Sequence, residues 1–298
     1  MFAYQLKTKV VFGRGSIVKV QDEIPALRAE KILIVTDEGI IDSGIAARLT
    51  EILDKNSIKY ALFHEIEANP KNQTISKGAL TAREFEADAI LGIGGGSPLD
   101  ASKAIAVAAT NDEEIEKLCG SFDCWSNPPI PVIAVPTTAG TGSEVSAVAL
   151  ISFPKEGVKR AMRGRTLQPT VAICDPDLTI GLPPQLTATT GIDALSHALE
   201  GYVCTRIPNP YTDLLAEKAV ELINGNLRQA YANGNNILAR EKMLLASNMA
   251  LMAAGTSGGL GLAHALAHAI GGFYDLPHGL IVAVCLPHVL RYNAIAVP

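Results

Sequence analysis

Two segments near the C-terminal end of this 298-residue chain concentrate side chains that bind metals well. Asp193 and His197 are four residues apart, and His264 and His268 repeat that spacing. Residues four apart lie on the same face of a helix, so each pair can point toward one ligand. His278 follows Pro277 shortly afterwards. The pattern predicts that two helices and the turn after them build a metal site.

The chemical types of these side chains limit which metal ions the site could bind. A carboxylate with imidazoles suits Fe²⁺, Zn²⁺ or a similar first-row ion and excludes a thiolate-rich structural zinc site. Four of the six histidines lie in these two segments, which favours a metal site over isolated surface or core histidines. Spacing alone does not decide which three imidazoles bind. A shared helix face favours His264 together with His268.

A second set of residues could hold a phosphate. The run 94–98, GGGSP, follows an apolar strand and opens a helix. Glycines let the backbone approach a pyrophosphate closely, and a helix N-terminus offers free N–H groups to anionic oxygens. A short glycine pattern by itself is equally typical of a tight turn without a ligand.

Two further strand ends strengthen the prediction of a dinucleotide. Asp37 ends an earlier strand, where a carboxylate can accept hydrogen bonds from a ribose diol and repel a 2′-phosphate, although Asp is also a common helix N-cap. The loop 136–144, PTTAGTGSE, places four hydroxyls after a third strand. Three polar loops at three strand ends indicate one long polar ligand, even though the usual G-x-G-x-x-G pattern is absent.

The elements that must position these residues follow two patterns. Near-continuous apolar strands at 31–36, 89–93, 130–135 and 171–174 alternate with helical stretches at 42–55, 74–86 and 98–110. This pattern predicts a parallel sheet with both faces covered. From Thr187 onward the periodicity is helical, over 190–203, 211–231, 237–255 and 260–272. We therefore expect a Rossmann-like α/β domain over 1–184 and an all-α domain over 185–298.

Composition excludes several partners. The net charge is −5, and no run of basic residues could neutralise a nucleic-acid backbone. The N-terminus carries charge where a signal peptide would be apolar, and the apolar run 280–287 is shorter than the roughly 18 residues of a membrane span. Five cysteines without a C-x-x-C pair indicate reduced thiols. We expect a cytoplasmic protein without nucleic-acid or membrane partners.

Four motifs resemble the iron-containing, group III alcohol dehydrogenases. They are GGGSPLDASKA (94–104), PTTAGTGSEVS (136–146), TGIDALSHALEGY (190–202) and GLGLAHALAHAIGGFYDLPHG (259–279). The resemblance runs from VVFGRGS (10–16) to the end of the chain, and the last two motifs are the most specific. It implies a dehydroquinate-synthase-like architecture, in which NAD and substrate bind between a dinucleotide domain and a helical metal domain.

The resemblance also assigns residues. It implies that Asp193, His197, His264 and His278 bind the metal, leaving His268 as a catalytic neighbour of the nicotinamide. This choice replaces the His264–His268 pair that spacing favours. The family's cofactor contacts match Asp37, Asn69, Gly95, Gly96, Ser97, Thr137, Thr138, Ser146 and Lys159. Family members with a carboxylate at the position of Asp37 tend to prefer NAD over NADP.

The chain departs from the family pattern in two places. Ser257-Gly258 and Val282 stand where relatives often carry asparagine, which leaves the substrate open. The family normally continues with further helices, whereas this chain stops at Pro298. We expect the helical domain to lack part of its packing and to expose apolar surface on helices 211–231 and 237–255.

The resemblance predicts an NAD-dependent oxidoreductase that interconverts a small alcohol or diol and its aldehyde or ketone. A divalent ion, Fe²⁺ or alternatively Zn²⁺, would act as Lewis acid, and the protein would be a homodimer. Alternatives are a zinc polyol dehydrogenase, a dehydroquinate-synthase-like lyase or an inactive fragment. The lyase needs basic residues to grip an acidic substrate, and residues 185–298 offer few near the ligand motifs.

Overall fold

The computed structural model describes residues 2, 5–274 and 276–296. Within these residues, eight strands lie in the N-terminal part, and six of them form one parallel sheet in the order β1-β8-β5-β4-β2-β3. The strands are β1 (Lys9–Phe12), β2 (Lys31–Val35), β3 (Lys59–Phe63), β4 (Ala89–Gly94), β5 (Val132–Pro136), β6 (Val148–Phe153), β7 (Val158–Arg163) and β8 (Val171–Cys174). Strands β6 and β7 form a separate antiparallel hairpin.

Helices cover both faces of this sheet. They are α1 (Val20–Ala26), α2 (Glu38–Asp42), α3 (Ile45–Lys55), α4 (Asn72–Phe85), α5 (Gly96–Thr110) and α6 (Ile115–Leu118). Alternate residues of β2 enter opposite cores: Leu33 packs with residues of α4 and α5, whereas Ile34 packs with residues of α1 and α3. Because the inner strands β2, β4, β5 and β8 are buried on both sides, their sequences are continuously apolar rather than alternating.

The strand order reverses between β2 and β4. From β2 the chain continues outward to β3, whereas from β4 it continues in the opposite direction to β5. In open parallel sheets, ligands bind in the crevice at the carboxyl ends of the strands where the order reverses. Asp37 follows β2, and Gly95 follows β4. The fold therefore places two of the expected cofactor residues on the two sides of this crevice.

The described C-terminal residues form five α-helices: α7 (Pro184–Val203), α8 (Pro210–Ala232), α9 (Ile237–Thr256), α10 (Leu262–Tyr274) and α11 (His278–Asn293). Helices α7, α8 and α9 pack against one another, and α10 and α11 form a pair of which α11 rests on α7. One core joins the helices to the sheet, because Ala194 and Met243 pack with Ala172 and Cys174 of β8. The expected α/β part followed by an all-helical part is confirmed.

The predicted strands and helices all form, with ends shifted by a few residues. Sequence patterns did not indicate β1, β3, the β6–β7 hairpin or α11. Strand β3 reads KYALF and is only partly buried at the edge of the sheet, so its pattern is weak. Helix α11 contains Pro287, which would ordinarily end a predicted helix.

Helix α11 and the turn after it, His278–Ala296, form one stretch of 19 residues with mean hydropathy 1.5. By length and composition this segment could cross a bilayer, so the short run 280–287 underestimated its extent. Such evidence is weak alone, since core helices of soluble proteins have similar composition. Ile281, Val282, Leu286 and Val289 are buried in the protein, but only 22% of the apolar segment is buried.

Exposed apolar side chains are distributed differently from the expectation. Helices α8 and α9 expose Tyr211, Leu214, Tyr231 and Leu238. A larger set lies on α10, α11 and the turns beside them: Leu262, Leu266, Phe273, Tyr274, Leu276, Leu280, Val284, Leu290, Tyr292 and Ile295. The expected exposed apolar surface on α8 and α9 is therefore present, but a larger exposed apolar surface lies on α10 and α11.

Candidate metal centre and cofactor cleft

Helix α7 carries the first two metal-ligand candidates into the protein interior. Asp193 and His197 lie one turn apart and are 2% and 5% exposed. His264 on α10 is 1% exposed, and His278, the first residue of α11, is partly buried. Three helices therefore supply the four residues.

The ligand atoms of three candidates converge. Asp193 Oδ1 lies 3.4 Å from His264 Nε2 and 3.6 Å from His278 Nε2. One ligand atom from each of these three residues lies within 4.8 Å of the others, a spacing that suits a common metal ion. His197 is not in this group, but its ring stacks on that of His264 with centroids 4.5 Å apart.

His268 lies beside the converging atoms rather than among them. Its ring centroid is 5.3 Å from that of His278 and 6.1 Å from that of His264. It shares α10 with His264, yet the atoms grouped around Asp193 come from His264 and His278. Helical spacing alone could not anticipate this, since His278 belongs to the next helix.

Two buried atoms at the centre have no hydrogen-bond partner within the described part of the chain. They are Asp193 Oδ1 and His264 Nε2, which face each other. Leaving such an acceptor and ring nitrogen buried and unpaired is costly. A cation between carboxylate and imidazole satisfies both atoms at once. The residues present therefore fit a divalent metal ion.

The protonation states agree with that fit. Burial lowers the pKa of His197 to about 4, and burial together with the nearby His278 lowers the pKa of His268 to about 4. Burial would raise the pKa of Asp193, but the imidazoles, His197 first, hold it well below its usual value. Burial opposes protonation of His264, yet the adjacent carboxylates of Asp193 and Glu200 raise its pKa to about 9. An incoming cation would compete with the proton on His264.

Close backbone contacts fix the surroundings of the site on α7. A Cβ added to Gly140 would lie 2.5 Å from Thr190, and one added to Gly279 would lie 2.5 Å from the carbonyl oxygen of Thr189. The loop after β5 and the first turn of α11 therefore both touch the backbone of α7. The Gly140 carbonyl oxygen lies 3.3 Å from His197 Nδ1 and orients that ring.

On the cofactor side, the glycine run forms the turn between β4 and α5. Gly94 has φ of 146°, a conformation that L-residues rarely adopt. Cβ atoms added to Gly95 and Gly96 would lie 3.2 Å from Thr138 and 2.8 Å from Thr141. The glycines thus let the loops after β4 and β5 approach each other, and the N-terminus of α5 opens between them.

Asp37 fulfils the alternative role considered for it, since its Oδ1 accepts a hydrogen bond of 2.9 Å from Ile40 N and caps α2. The cap leaves the side chain partly exposed at the crevice. Burial raises the pKa of Asp37. Capping and recognition of a ribose are compatible, because a carboxylate has two oxygens.

Three more of the expected cofactor residues form one hydrogen-bonded chain. Asn69 N donates to Ser97 Oγ at 3.2 Å, and Asn69 Oδ1 accepts from Lys159 Nζ at 2.6 Å. Asn69 has a left-handed backbone with φ of 58°. Thr137 is buried, Thr138 is partly exposed, and the Ser146 hydroxyl accepts from Val148 N in a local turn. The Ser146 hydroxyl is thus engaged in its own loop.

Sequence reasoning missed one buried acid at the metal centre. Glu200 Oε2 lies 2.5 Å from His264 Nδ1, and its Oε1 accepts from Ala263 N at 2.6 Å. Its position three residues after His197 places it on the same side of α7, a spacing that could have drawn attention to it.

Comparison with known proteins accounts for nearly the whole chain. Residues 7–176 match the family described as iron-containing alcohol dehydrogenase, and residues 187–298 match its C-terminal domain family. The 1,3-propanediol dehydrogenase of Klebsiella pneumoniae is 42% identical over 300 residues, which cover all of this chain and 77% of that protein.

Solved structures show the same fold. The crystal structure of a 1,3-propanediol oxidoreductase, 42% identical, superposes with a TM-score of 0.95 over all of this chain and 77% of the other. Sulfoacetaldehyde reductase from Bifidobacterium kashiwanohense in complex with NAD⁺, 32% identical, gives a TM-score of 0.91 over 98% of this chain and 77% of the other. The chain belongs to the iron-containing alcohol dehydrogenase family and is an NAD-dependent, metal-using oxidoreductase of alcohols and carbonyl compounds.

Proposed function

We propose that Asp193, His197, His264 and His278 hold one divalent metal ion, with Fe²⁺ first and Zn²⁺ second in preference. The facing, unpaired atoms Asp193 Oδ1 and His264 Nε2 carry the proposal. An ion held there supplies Lewis acidity toward the oxygen of an alcohol or carbonyl group. His197 joins the set through its contact with His264 and its orientation by the Gly140 carbonyl.

The crevice where the strand order reverses is the proposed site for NAD, which carries the hydride. We assign Gly95, Gly96 and Ser97 to its phosphates, because they open the N-terminus of α5. Asp37 would accept from the ribose hydroxyls and repel the additional phosphate of NADP. The remaining proposed contacts are Asn69, Thr137, Thr138, Ser146 and Lys159.

The chain's own groups divide the work of the reaction. Asp193 would offset one unit of a divalent ion's charge, and the imidazoles would bind the ion as neutral donors, so the site would keep a positive charge toward a substrate oxygen. His268 is neutral near pH 7 and therefore has a ring nitrogen able to accept the proton of an alcohol. We propose it as the catalytic proton acceptor, acting beside the metal ligands rather than as one of them.

For the substrate we propose a short alcohol or diol. The relative named 1,3-propanediol dehydrogenase and this chain are 42% identical. A small, uncharged substrate fits a centre in which Asp193, His197 and His264 are almost completely buried. We further propose a domain boundary near residue 184 and a cytoplasmic homodimer, on the basis of the sequence pattern, the reduced thiols and the family resemblance.

Metal reconstitution tests the function directly. Protein stripped of metal with a chelator should oxidise NADH with short aldehydes only after Fe²⁺ or Zn²⁺ is restored. The reconstituted protein should also reduce NAD with 1,3-propanediol. A panel with ethanol, lactaldehyde and sulfoacetaldehyde would rank the substrates. Binding of metal and NAD without turnover of any of these would contradict the proposal and favour an inactive fragment.

A further inference from the structure

Glu200 is a buried acid with two fixed partners and no place among the proposed metal ligands. It lies on α7, is 3% exposed, and faces α10. One carboxylate oxygen accepts from the backbone N–H of Ala263 at 2.6 Å, and the other lies 2.5 Å from Nδ1 of His264. A carboxylate at such a depth is retained only when its partners repay its loss of water.

These contacts decide which nitrogen of His264 carries a proton. A backbone N–H can only donate, and an ionised carboxylate can only accept, so Nδ1 of His264 must donate to Glu200. The hydroxyl of Ser196 is a more distant neighbour of the same nitrogen, at 3.4 Å. With Nδ1 committed as a donor, Nε2 is the nitrogen whose proton a metal ion can displace, and its lone pair would then serve an ion beside Asp193, whose Oδ1 is 3.4 Å away.

His264 differs from His197 in the acceptor that holds it. Nδ1 of His197 faces the uncharged carbonyl of Gly140 at 3.3 Å, whereas Nδ1 of His264 faces a carboxylate at 2.5 Å. A charge-assisted hydrogen bond is shorter and stronger than a neutral one. Glu200 therefore holds the ring of His264 more firmly than the Gly140 carbonyl holds the ring of His197, and it makes Nε2 of His264 more electron-rich.

We infer that Glu200 is a positioning residue of the metal centre, which fixes the orientation and tautomer of His264 so that Nε2 faces the ion. The inference rests on the proposed function, in which His264 is a metal ligand. Glu200 itself does not contact the ion. Its removal should weaken metal binding while leaving the four ligands in place.

The most informative variant is Glu200→Gln. Glutamine keeps the size of the side chain, and its amide oxygen can accept the hydrogen bond from Ala263 N. Its amide NH₂ group then faces Nδ1 of His264 as a donor. The proton must move to Nε2, the atom that should bind metal. We expect the affinity for Zn²⁺ and Co²⁺, measured by competition with a chromophoric chelator, to fall roughly 10–100-fold. Wild-type affinity would overturn the inference.

Two further proteins sharpen this experiment. Ser196→Ala removes the other neighbour of Nδ1 and should leave metal affinity within about twofold of wild type; a loss equal to that of Glu200→Gln would overturn the assignment to Glu200. Asp193→Ala tests the site itself. If Asp193→Ala retains metal, the proposed function fails, whereas loss in Asp193→Ala with full binding by Glu200→Gln defeats only the positioning role.

A spectroscopic measurement on the unaltered chain avoids any folding defect of a variant. In Zn²⁺-loaded protein labelled with ¹⁵N-histidine, the two ring nitrogens of His264 should appear as a protonated Nδ1 and a metal-bound Nε2. The Co²⁺-loaded Glu200→Gln protein should also show a changed visible absorption spectrum at full occupancy. An unprotonated or metal-bound Nδ1 in the wild type would overturn the inference.

Discussion

Lys159 Nζ donates a hydrogen bond of 2.6 Å to Asn69 Oδ1 and so joins the β6–β7 hairpin to the loop before α4. Asn69 in turn donates from its backbone to Ser97 at the start of α5. Three of the expected cofactor residues are therefore linked in series, and a change in one of them should affect the other two.

Lys159→Met should weaken binding of NADH by roughly tenfold, equal to about 1.4 kcal/mol, because it removes the donor to Asn69 and a positive charge beside the cleft. Asn69→Ala should give a similar loss. Since the residues are in contact, the double variant should lose less than the sum of the two free energies. Titration of NADH fluorescence would measure this, and strict additivity would contradict the linkage.

Asp37→Asn should relax the choice between NAD and NADP. Asparagine caps a helix about as well as aspartate, so α2 should stay intact while the charge disappears. Without that charge, repulsion of the 2′-phosphate is lost, and the ratio of kcat/KM for NAD over NADP should fall roughly tenfold or more. Thermal unfolding of the variant serves as the control for the cap. An unchanged ratio would remove Asp37 from cofactor selection.

His268→Ala and Asp193→Ala should fail in different ways. Loss of a proton acceptor should lower turnover roughly 10²–10⁴-fold while the bound metal stays near wild-type stoichiometry. Asp193→Ala should lose the metal itself, because it removes the anionic ligand candidate. Elemental analysis beside steady-state kinetics separates the two. If the His268→Ala protein contains no bound metal, His268 is a metal ligand rather than a proton acceptor.

Glu144, the last residue of the loop after β5, is buried, and its Oε1 accepts a hydrogen bond from Asn248 Nδ2 at 3.1 Å. Burial raises its pKa, so the folded state binds the proton more tightly than the unfolded chain. The stability penalty of the charged form therefore develops as pH rises above the unfolded pKa and is complete above the folded pKa.

Glu144→Gln should remove that penalty. Relative to wild type it should gain stability between about pH 5 and pH 8, on the order of 1 kcal/mol, measured by urea unfolding of metal-free protein at both values. The matched control is Glu113→Gln, at an exposed position, which should show no such trend. Lys103 is also buried, and its charge acts to lower the pKa of Glu144. A variant that loses stability toward pH 8 would mean that the charge of Glu144 is stabilising because it pairs with Lys103.

Gly140→Ala should disturb both packing and metal binding. The new methyl group would lie 2.5 Å from Thr190, and overpacking of this kind costs about 1–3 kcal/mol. Displacement of the Gly140 carbonyl would also release the ring of His197. Gly181→Ala, with nothing within 4 Å of the added atom, is the control. Equal thermal midpoints for the two variants would contradict the contact.

Periodicity predicted the parts of the fold that are buried on defined faces. The strands at 31–36 and 89–93 are apolar throughout because helices cover the sheet on both sides. Edge strand β3 and helix α11 escaped prediction, since one is half exposed and the other contains a proline and an exposed apolar face. Tertiary contacts, not local propensity, hold these two elements.

In the candidate site, too, relationships within one helix could be predicted from the sequence, whereas contacts between helices could not. Asp193 and His197 could be paired from their spacing, because one helix carries both. The convergence of His278 on Asp193 could not, since it depends on how α11 packs on α7. Glu200 was missed for a related reason: its partner His264 is 64 residues away in sequence.

The loop after β5 contacts both the glycines at the start of α5 and the metal-ligand candidate His197. Thr138 and Thr141 lie against the glycines that open α5, and two residues beyond Thr138 the carbonyl of Gly140 holds His197. The proposed nucleotide site and the proposed metal site thus share one short, closely packed piece of main chain. Whatever free energy the nucleotide gains from an occupied metal centre, the ion must gain in equal measure from a bound nucleotide.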